Sequence, residues 1–186
     1  MPAPVHPGLF KSAGLLEKET AAMKKVVQGW SRSRKTAVFA QGPQRVREAL
    51  KKFPRRMWRF TAQRGNWTIT QVLWHLADQE ANLYVRQRRA AAEPGQLVSP
   101  YDQNKWADRL LYSQADPEQA RDLILLLRQA NADLLKRISP KAWKGKVNHP
   151  EWGLMSLEFL VGLNIWHLEH HLVQMRRRFL EWKRAA

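Results

Sequence analysis

The chain contains no cysteine among its 186 residues. This absence excludes disulfide scaffolds, cysteine-ligated zinc sites and any thiol nucleophile of the protein's own. Thiol chemistry would therefore need a thiol supplied from outside, and a reducing, cytoplasmic location is expected. No run of about 18 apolar residues occurs, so no membrane-spanning helix is expected. The N-terminus also lacks the apolar stretch that is typical of a secretory signal.

Acidic residues are half as numerous as basic ones, 16 against 32, and the resulting net charge of +16 is unevenly distributed. Residues 1–64 carry +12, residues 65–174 are neutral and residues 175–186 carry +4. Such basic ends favour either contact with nucleic acid or an anionic surface, or a solvated face that keeps the protein soluble. No nucleic-acid-binding motif accompanies the charge, so we prefer the second interpretation.

The first 40 residues differ from the rest of the chain. They open with a proline-rich, turn-forming stretch, continue with a weakly helical one at about 12–28, and include a basic run at 30–35. We interpret residues 1–40 as a basic N-terminal arm that is partly helical. Residues 41–186 are long enough to bury a core of their own and are interpreted as one compact domain.

Hydrophobic residues that recur at helical spacing predict four long helices in this domain. The first is expected to start near Pro43, because proline suits a first helical turn. The second is expected to start after Thr68 and to run to Ala92. Thr68 with Gln71 three residues later resembles a capping box. Asp116 is the expected cap of the third helix.

The remaining elements follow from the same periodicity. The third helix is expected to bury a stripe formed by Leu123, Leu127, Ala130 and Leu134. A short helix is predicted at about 102–111, and the last long helix at about 154–182. No segment alternates well enough to predict a strand. The sequence therefore indicates an all-α fold.

The last helix carries a polar face that is unusual for a protein core. At 100° per residue His167 and His171 lie one above the other, on the face that also holds Leu160 and Leu163. His75 lies at the edge of the apolar face of the second helix, so the three imidazoles converge if these helices are neighbours. Three histidines with one open position are typical of a catalytic metal site. The alternative is three core histidines that are hydrogen-bonded to carbonyls and carboxylates.

Four segments, in order along the chain, together resemble the DinB/YfiT-like superfamily. They are the stretch WTITQVLWHLAD at 67–78, YDQNKW at 101–106, HPEWG at 149–153 and HLEHHLVQ at 167–174. The resemblance covers about residues 42–180. It implies a four-helix bundle with up-down-down-up connectivity, often a homodimer, in which His75, His167 and His171 bind one divalent metal ion.

The resemblance also implies a class of activity. Members of this superfamily include transferases or isomerases that use low-molecular-weight thiols such as bacillithiol or mycothiol, and proteins regarded as metal-dependent hydrolases. We predict a transferase that combines an external thiol with a small electrophile. A hydrolase that uses metal-activated water is the first alternative. A non-enzymatic helical module that binds nucleic acid or an anionic surface through its basic ends is the second.

Imidazole ligation suits zinc or nickel first, with iron, copper or manganese as alternatives, and disfavours calcium and magnesium. Several further residues are candidates for the site, although capping, surface or packing roles remain open for all of them. Candidates for catalysis or substrate orientation are Asp102 and Tyr101. Candidates for positioning the ligand rings are Asp78, Glu169, Gln174 and Asn164. Candidates for the wall of a substrate pocket are Trp74, Trp106, Trp166 and His149.

Overall fold

A computed structural model describes residues 24–186. The long helices in this range are Arg32–Lys51 (α1), Ile69–Ala92 (α2), Pro117–Arg137 (α4) and Leu157–Ala185 (α5). A short helix, Gln103–Arg109 (α3), lies in the connection between α2 and α4, and 3-10 turns occur at Arg55–Met57 and Ala142–Lys144. An antiparallel hairpin, Lys146–His149 (β1) and Gly153–Ser156 (β2), precedes α5. The predicted helical bundle is confirmed.

Within the bundle, α1 lies diagonally opposite α2, and α4 lies diagonally opposite α5. Helices α1 and α2 each pack against both α4 and α5. Arg32 at the start of α1 pairs with Glu158 at the start of α5, with 3.2 Å between Nε and Oε2, so these two helices run in the same direction. The backbone N–H of Gly95, just after α2, donates to Lys146 O (2.8 Å), just after α4. Helices α2 and α4 therefore also run in one direction, and the order is up-down-down-up.

Helix α2 begins where the sequence predicts. The Thr68 hydroxyl accepts a hydrogen bond from the backbone N–H of Gln71 (3.2 Å), and the Gln71 side chain accepts one from the backbone N–H of Thr68 (3.0 Å). This reciprocal capping box satisfies two of the donors that a helix start leaves free. The apolar residues that recur at helical spacing along it are buried, namely Ile69, Val72, Leu73, Leu76 and Leu83. The helix ends at Ala92, before Pro94 and Gly95.

Helix α1 begins earlier than predicted. Ser31 caps it, and its hydroxyl accepts a hydrogen bond from the backbone N–H of Arg34 (3.3 Å). Pro43, expected at the helix start, lies in the interior of α1 and is buried. A proline in a helix removes one backbone hydrogen bond but does not always end the helix, and here the helix continues through it.

The segment before α1 also packs on the bundle. Residues 24–28 are helical, and Val27 lies in the core. The Gln28 side chain donates to the carbonyl of Phe159 (3.1 Å) and lies against Gly162, where a β-carbon would meet its amide. Residues 1–23, which hold most of the predicted arm and its helical stretch, lie outside the described residues. The division of the chain at residue 40 stays a prediction.

The buried stripe of α4 differs from the predicted one by one position. The buried side chains are Ala120, Ile124, Arg128, Asn131, Ala132 and Leu135. Leu123 of the predicted stripe is exposed, because the helix is rotated to bring Arg128 into the core. An arginine in a helix is ordinarily counted as solvent-facing, and so the sequence pattern gave the wrong face.

The Arg128 side chain is only 1% exposed, and its partners come from the three other long helices. Its guanidinium forms an ion pair with Glu80 and donates to Asn164 Oδ1 (2.7 Å). The guanidinium carbon lies 4.5 Å from the ring centre of Phe39. A buried charge requires such compensation, because transfer from water into the core is otherwise very unfavourable.

The hairpin between α4 and α5 was not predicted, and α5 begins at Leu157 rather than near residue 154. The two strands of the hairpin are four residues long each, which is too short for an alternation of apolar and polar residues to be recognised in the sequence. The hairpin is joined to the chain after α2. Asn148 accepts a hydrogen bond from the backbone N–H of Val98 (2.9 Å) and donates one to the carbonyl of Gln96 (2.9 Å). The long connection is therefore fixed to the end of the bundle.

None of the helices in residues 24–186 combines the length and the apolar character that crossing a membrane would require.

Candidate metal centre

Three histidines from two neighbouring helices meet near the middle of the bundle. The Nε2 atom of His167 on α5 lies 3.1 Å from that of His75 on α2 and 3.2 Å from that of His171. The candidate ligand atoms of the three residues all lie within 4.8 Å of one another. The structure thus brings together the three rings that the sequence selected.

This spacing fits a single metal ion. An ion with metal–nitrogen bonds of about 2.0–2.1 Å in tetrahedral geometry holds its ligand nitrogens about 3.3 Å apart. The two shorter separations in the cluster are close to that value. Three imidazoles leave the fourth position open, which distinguishes catalytic sites from structural ones. The donor set is one that zinc, nickel, copper and iron accept.

One ligand ring is oriented by a neighbouring side chain. His171 Nδ1 lies 2.7 Å from Gln174 Oε1, one turn further along α5. An amide oxygen accepts hydrogen bonds, so His171 carries its proton on Nδ1 and its Nε2 lone pair is directed towards the other two rings. Gln174 therefore makes the contact that its predicted positioning role requires. His75 Nδ1 is buried without a hydrogen-bond partner among the described residues.

The three imidazoles are held in their neutral form. Burial lowers the pKa of His75 to about 3, and the nearby His170 adds to this effect. Burial is also the main cause that places the pKa of His167 and of His171 well below the usual range, followed by repulsion from a neighbouring ring of the cluster. Neutral imidazole is the form that binds metals, so the rings need not lose protons at neutral pH.

Aromatic rings border the cluster. The Trp67 ring centre lies 5.0 Å from that of His75, and the Trp166 ring centre lies 6.2 Å from that of His167. His170 is buried beside His171, with 5.0 Å between the ring centres. Within the triad, His75 and His171 are buried, whereas His167 is partly exposed.

The buried polar network of Arg128 lies next to the triad, about one turn away along α5. Asn164, one turn before His167, donates to Glu80 (3.0 Å) and accepts from Arg128. Glu80 lies on α2, as His75 does. The network thus links the two helices that carry the triad to α4.

The sequence of residues 39–175 matches the DinB superfamily. The chain belongs to this superfamily. Its histidine triad, its bundle topology and its matched range all agree with that assignment.

Two curated relatives are similar to this chain over 112 residues each. OB0782 from Oceanobacillus iheyensis is 37% identical over 112 residues, which cover 60% of this chain and 64% of that protein. YfiT from Bacillus subtilis is 31% identical over 112 residues, which cover 60% of this chain and 63% of that protein. Both are proposed to be metal-dependent hydrolases. The match thus spans less than two thirds of the length of either relative.

Solved structures of the same bundle confirm the topology. The structure of Bacillus subtilis YfiT, described as an unusual four-helix bundle, aligns with a TM-score of 0.72 at 26% identity, covering 79% of this chain and 85% of that chain. A mycothiol-dependent maleylpyruvate isomerase aligns with a TM-score of 0.64 at 16% identity, covering 80% of this chain and 62% of that chain. The latter likeness shows the fold alone.

The two residues suggested for catalysis have structural partners in this DinB bundle. Asp102 is the exposed N-cap of α3, and its carboxylate accepts hydrogen bonds from the backbone N–H groups of Asn104 and Lys105 (both 3.0 Å). The bond from Lys105 is the main cause that lowers the Asp102 pKa. The Tyr101 hydroxyl donates to Gln79 (2.6 Å), and burial raises its pKa. Asp102 is therefore a weak proton acceptor and Tyr101 a weak acid.

Three of the residues suggested for positioning the rings bind other groups instead. Asp78 accepts a hydrogen bond from the Tyr112 hydroxyl, and Glu169 forms an ion pair with Arg45. Asn164 belongs to the Arg128 network described above. Among the described residues, neither carboxylate is hydrogen-bonded to a ring of the triad. Gln174 is thus the member of this set for which the structure supports the predicted contact.

The residues suggested for the pocket wall are spread over several places. Trp166 borders the triad. Trp74 packs near Tyr112, with ring centres 6.3 Å apart, and Trp106 packs on Tyr101 at 4.5 Å. His149 is buried at the end of β1, where its ring contacts Trp152 at 5.5 Å.

Sequence reasoning missed two neighbours of the site. Trp67 was used only as a family landmark, although it lies against His75. Its position just before the capped start of α2 is a signal that could have indicated this contact. Arg128 carried no such signal, because its partners Glu80 and Asn164 are remote in the sequence.

Proposed function

We propose that this DinB protein is a divalent-metal-dependent transferase, which joins a low-molecular-weight thiol from solution to a small electrophile. The observation that carries the proposal is the convergence of three neutral imidazole nitrogens from His75, His167 and His171. The names given to the relatives OB0782 and YfiT support the dependence on a metal. When bound to the triad, zinc or nickel would offer an open coordination position and lower the pKa of a thiol placed there.

The chain's own residues set up this chemistry. Gln174 holds His171 with its Nε2 atom directed inward. Burial keeps all three rings neutral, so they can act as ligands at neutral pH. Trp166 supplies a flat apolar surface next to His167, against which the carbon skeleton of an electrophile can pack. The thiol must come from outside, because the chain has no cysteine.

The surroundings of the triad favour a thiol over water as the nucleophile. Attack by metal-bound water is commonly assisted by a general base, and in metal-dependent hydrolases this is often a carboxylate. In the part of the chain that the structure describes, no carboxylate is hydrogen-bonded to a triad ring. Asp102 caps α3 and Asp78 binds Tyr112. A thiol whose pKa is lowered is already a nucleophile as thiolate and needs no such base.

Hydrolysis is the second candidate, because the relatives OB0782 and YfiT are regarded as metal-dependent hydrolases. A metal ion can lower the pKa of water to about 7, which would give a nucleophile at neutral pH. This reaction requires no external thiol. The two candidate reactions can therefore be distinguished by whether they require an external thiol.

The test is a conjugation assay on protein purified without a histidine tag and reconstituted with zinc or nickel. A fluorogenic alkyl halide serves as electrophile and is offered with and without a panel of low-molecular-weight thiols. A simple aryl ester is offered in parallel without thiol. His171→Ala removes one ligand, and His149→Gln is the matched control, since His149 lies outside the triad.

We expect conjugation above the uncatalysed rate only with thiol present, lost on chelation and in His171→Ala but kept in His149→Gln. Ester turnover without thiol, lost on chelation, would instead establish the hydrolase. Conjugation that survives both chelation and His171→Ala would overturn the dependence on the triad.

A further inference from the structure

A cleft on the outer side of α2 shares no residue with the histidine triad. It lies between α2 and the long connection that leads to α3, and has a volume of about 390 Å³. Residues of both signs line it, with Asp78 at one end and Arg86 and Arg89 towards the other. Asp78 and Arg89 are 11 positions apart on α2, which is about 16.5 Å of helix at 1.5 Å per residue. Pockets of this size hold small organic molecules.

Arg86 is a buried cation without a counter-anion. Its side chain is only 8% exposed, yet no carboxylate oxygen lies within 4.0 Å of it among residues 24–186. One guanidinium nitrogen, Nη2, donates to the carbonyl of Ser99 (2.5 Å). A guanidinium has five N–H donors, so several remain available. Buried charges are ordinarily paired, and an unpaired one that lines a cleft marks a place for an anion.

A second guanidinium lies one turn further along the same face. Arg89 is exposed, lines the same cleft and donates to the carbonyl of Leu97 (3.1 Å) through Nη1. It also lacks a carboxylate within 4.0 Å among the described residues. Asn82, one turn before Arg86, adds an amide to the lining. The guanidinium groups of Arg86 and Arg89 lie on one side of the cleft, and their paired N–H donors can bind the two oxygens of a carboxylate.

The other wall of the cleft is aromatic and fixed in place. Trp106 of α3 lines the cleft and packs on Tyr101, with 4.5 Å between ring centres. Tyr101 is in turn anchored by its hydrogen bond to Gln79 on α2. Val98, which is buried, and Val85 add apolar surface. The cleft thus offers a flat hydrophobic face opposite a pair of cations.

We propose that this cleft binds a small organic carboxylate with a planar apolar body. The carboxylate is held by Arg86 and Arg89, and the body packs against Trp106. Asp78 at the far end disfavours a second negative charge there, so a monoanion fits better than a dianion. The proposal is independent of the metal, since none of these side chains is a triad ligand.

The test uses benzoate as the probe and benzamide as its neutral isostere. Binding is measured by ligand-observed NMR titration at constant ionic strength, with a chelator present. The variants are Arg86→Gln and Arg89→Gln. Arg64→Gln is the matched control, because it removes the same charge from an exposed residue outside the cleft. Arg86 also fixes Ser99, so a thermal melt of each variant reports whether it is folded. Arg89→Gln keeps the test decisive if Arg86→Gln does not fold.

We expect wild-type protein to bind benzoate roughly tenfold or more tightly than benzamide, as the loss of charge-assisted hydrogen bonds implies. Arg89→Gln and folded Arg86→Gln should weaken benzoate binding about tenfold, while Arg64→Gln leaves it unchanged. His171→Ala should also bind benzoate normally, which separates this proposal from the proposed function. Equal binding of the two probes, or an Arg64→Gln effect as large as that of Arg89→Gln, would overturn it.

Discussion

The side chain of Arg128 occupies the space next to Gly42 that a β-carbon would need. A β-carbon built on Gly42 would lie 2.6 Å from Arg128 Cδ and closer still to Nε. Gly42 lies inside α1, where glycine is otherwise unfavourable relative to alanine. The glycine is therefore explained by the buried arginine of the opposite helix α4.

We expect Gly42→Ala to destabilise the protein, although alanine is the better helix former. The added methyl group overlaps the guanidinium arm, and overpacking of this kind costs about 1–3 kcal/mol. The free energy of unfolding from urea denaturation measures the effect. Gly29→Ala is the control, because a β-carbon there meets only ordinary contacts of 3.5 Å or more. A Gly42→Ala protein as stable as wild type would contradict this placement of Arg128.

The ion pair of Arg128 with Glu80 should behave as a unit. Arg128→Met alone leaves the Glu80 carboxylate buried without its partner, and we expect a loss of about 3–5 kcal/mol in the free energy of unfolding. Combining it with Glu80→Gln should restore much of that loss, because no charge then remains buried. Lys136→Met, which breaks the exposed pair with Asp133, should change little. If the effects of the two substitutions on the free energy of unfolding were simply additive, this coupling would be contradicted.

The metal-free protein should lose stability as the pH falls below about 6.5, the ordinary histidine pKa. Burial lowers the folded-state pKa of His75 to about 3 and also depresses those of His167 and His171. In this window the unfolded chain binds protons that the folded chain does not, so acid favours unfolding. Urea denaturation in the presence of a chelator, at several pH values, measures the slope of the free energy of unfolding against pH. His75→Leu should show a smaller slope than wild type, and equal slopes would contradict the neutral buried state of His75.

Much of the site could be predicted because its signals are local. The capping box of Thr68 and Gln71 fixes the start of α2, and the start fixes which face carries His75. His167 and His171 are four residues apart, so their common direction follows from helical geometry alone. Convergence of the two helices came from the family resemblance, because no local pattern states which helices are neighbours.

What could not be predicted depends on partners that are remote in the sequence. Arg128 faces the core because Glu80 and Asn164 bind its guanidinium there. The predicted buried stripe of α4 therefore lies one residue before the observed one. Asp102 was a candidate for catalysis for which a capping role was left open, and the structure shows that it caps the start of α3. The hairpin of β1 and β2 depends on pairing with the connection after α2, which its short strands do not reveal.

Gln174 provides a test of positioning that leaves all three ligands in place. Loss of a partner that orients a ligand histidine commonly lowers metal affinity by about 10–100-fold. We expect that range for Gln174→Ala, and a smaller loss for Gln174→Glu, which keeps an acceptor for His171 Nδ1. Competition with a chromophoric chelator measures the affinity. Val173→Ala is the control at the neighbouring exposed position. If Gln174→Ala binds metal as wild type does, the contact has no positioning role.

The most direct test of the triad is X-ray absorption spectroscopy at the metal edge, on untagged protein loaded with one equivalent of zinc or nickel. The triad predicts that three imidazole nitrogens surround the ion at about 2.0–2.1 Å for zinc, and that His171→Ala fails to retain it after gel filtration. An ion that is bound through other ligands, or that His171→Ala retains as well as wild type, would contradict the assignment of His75, His167 and His171 as a metal centre.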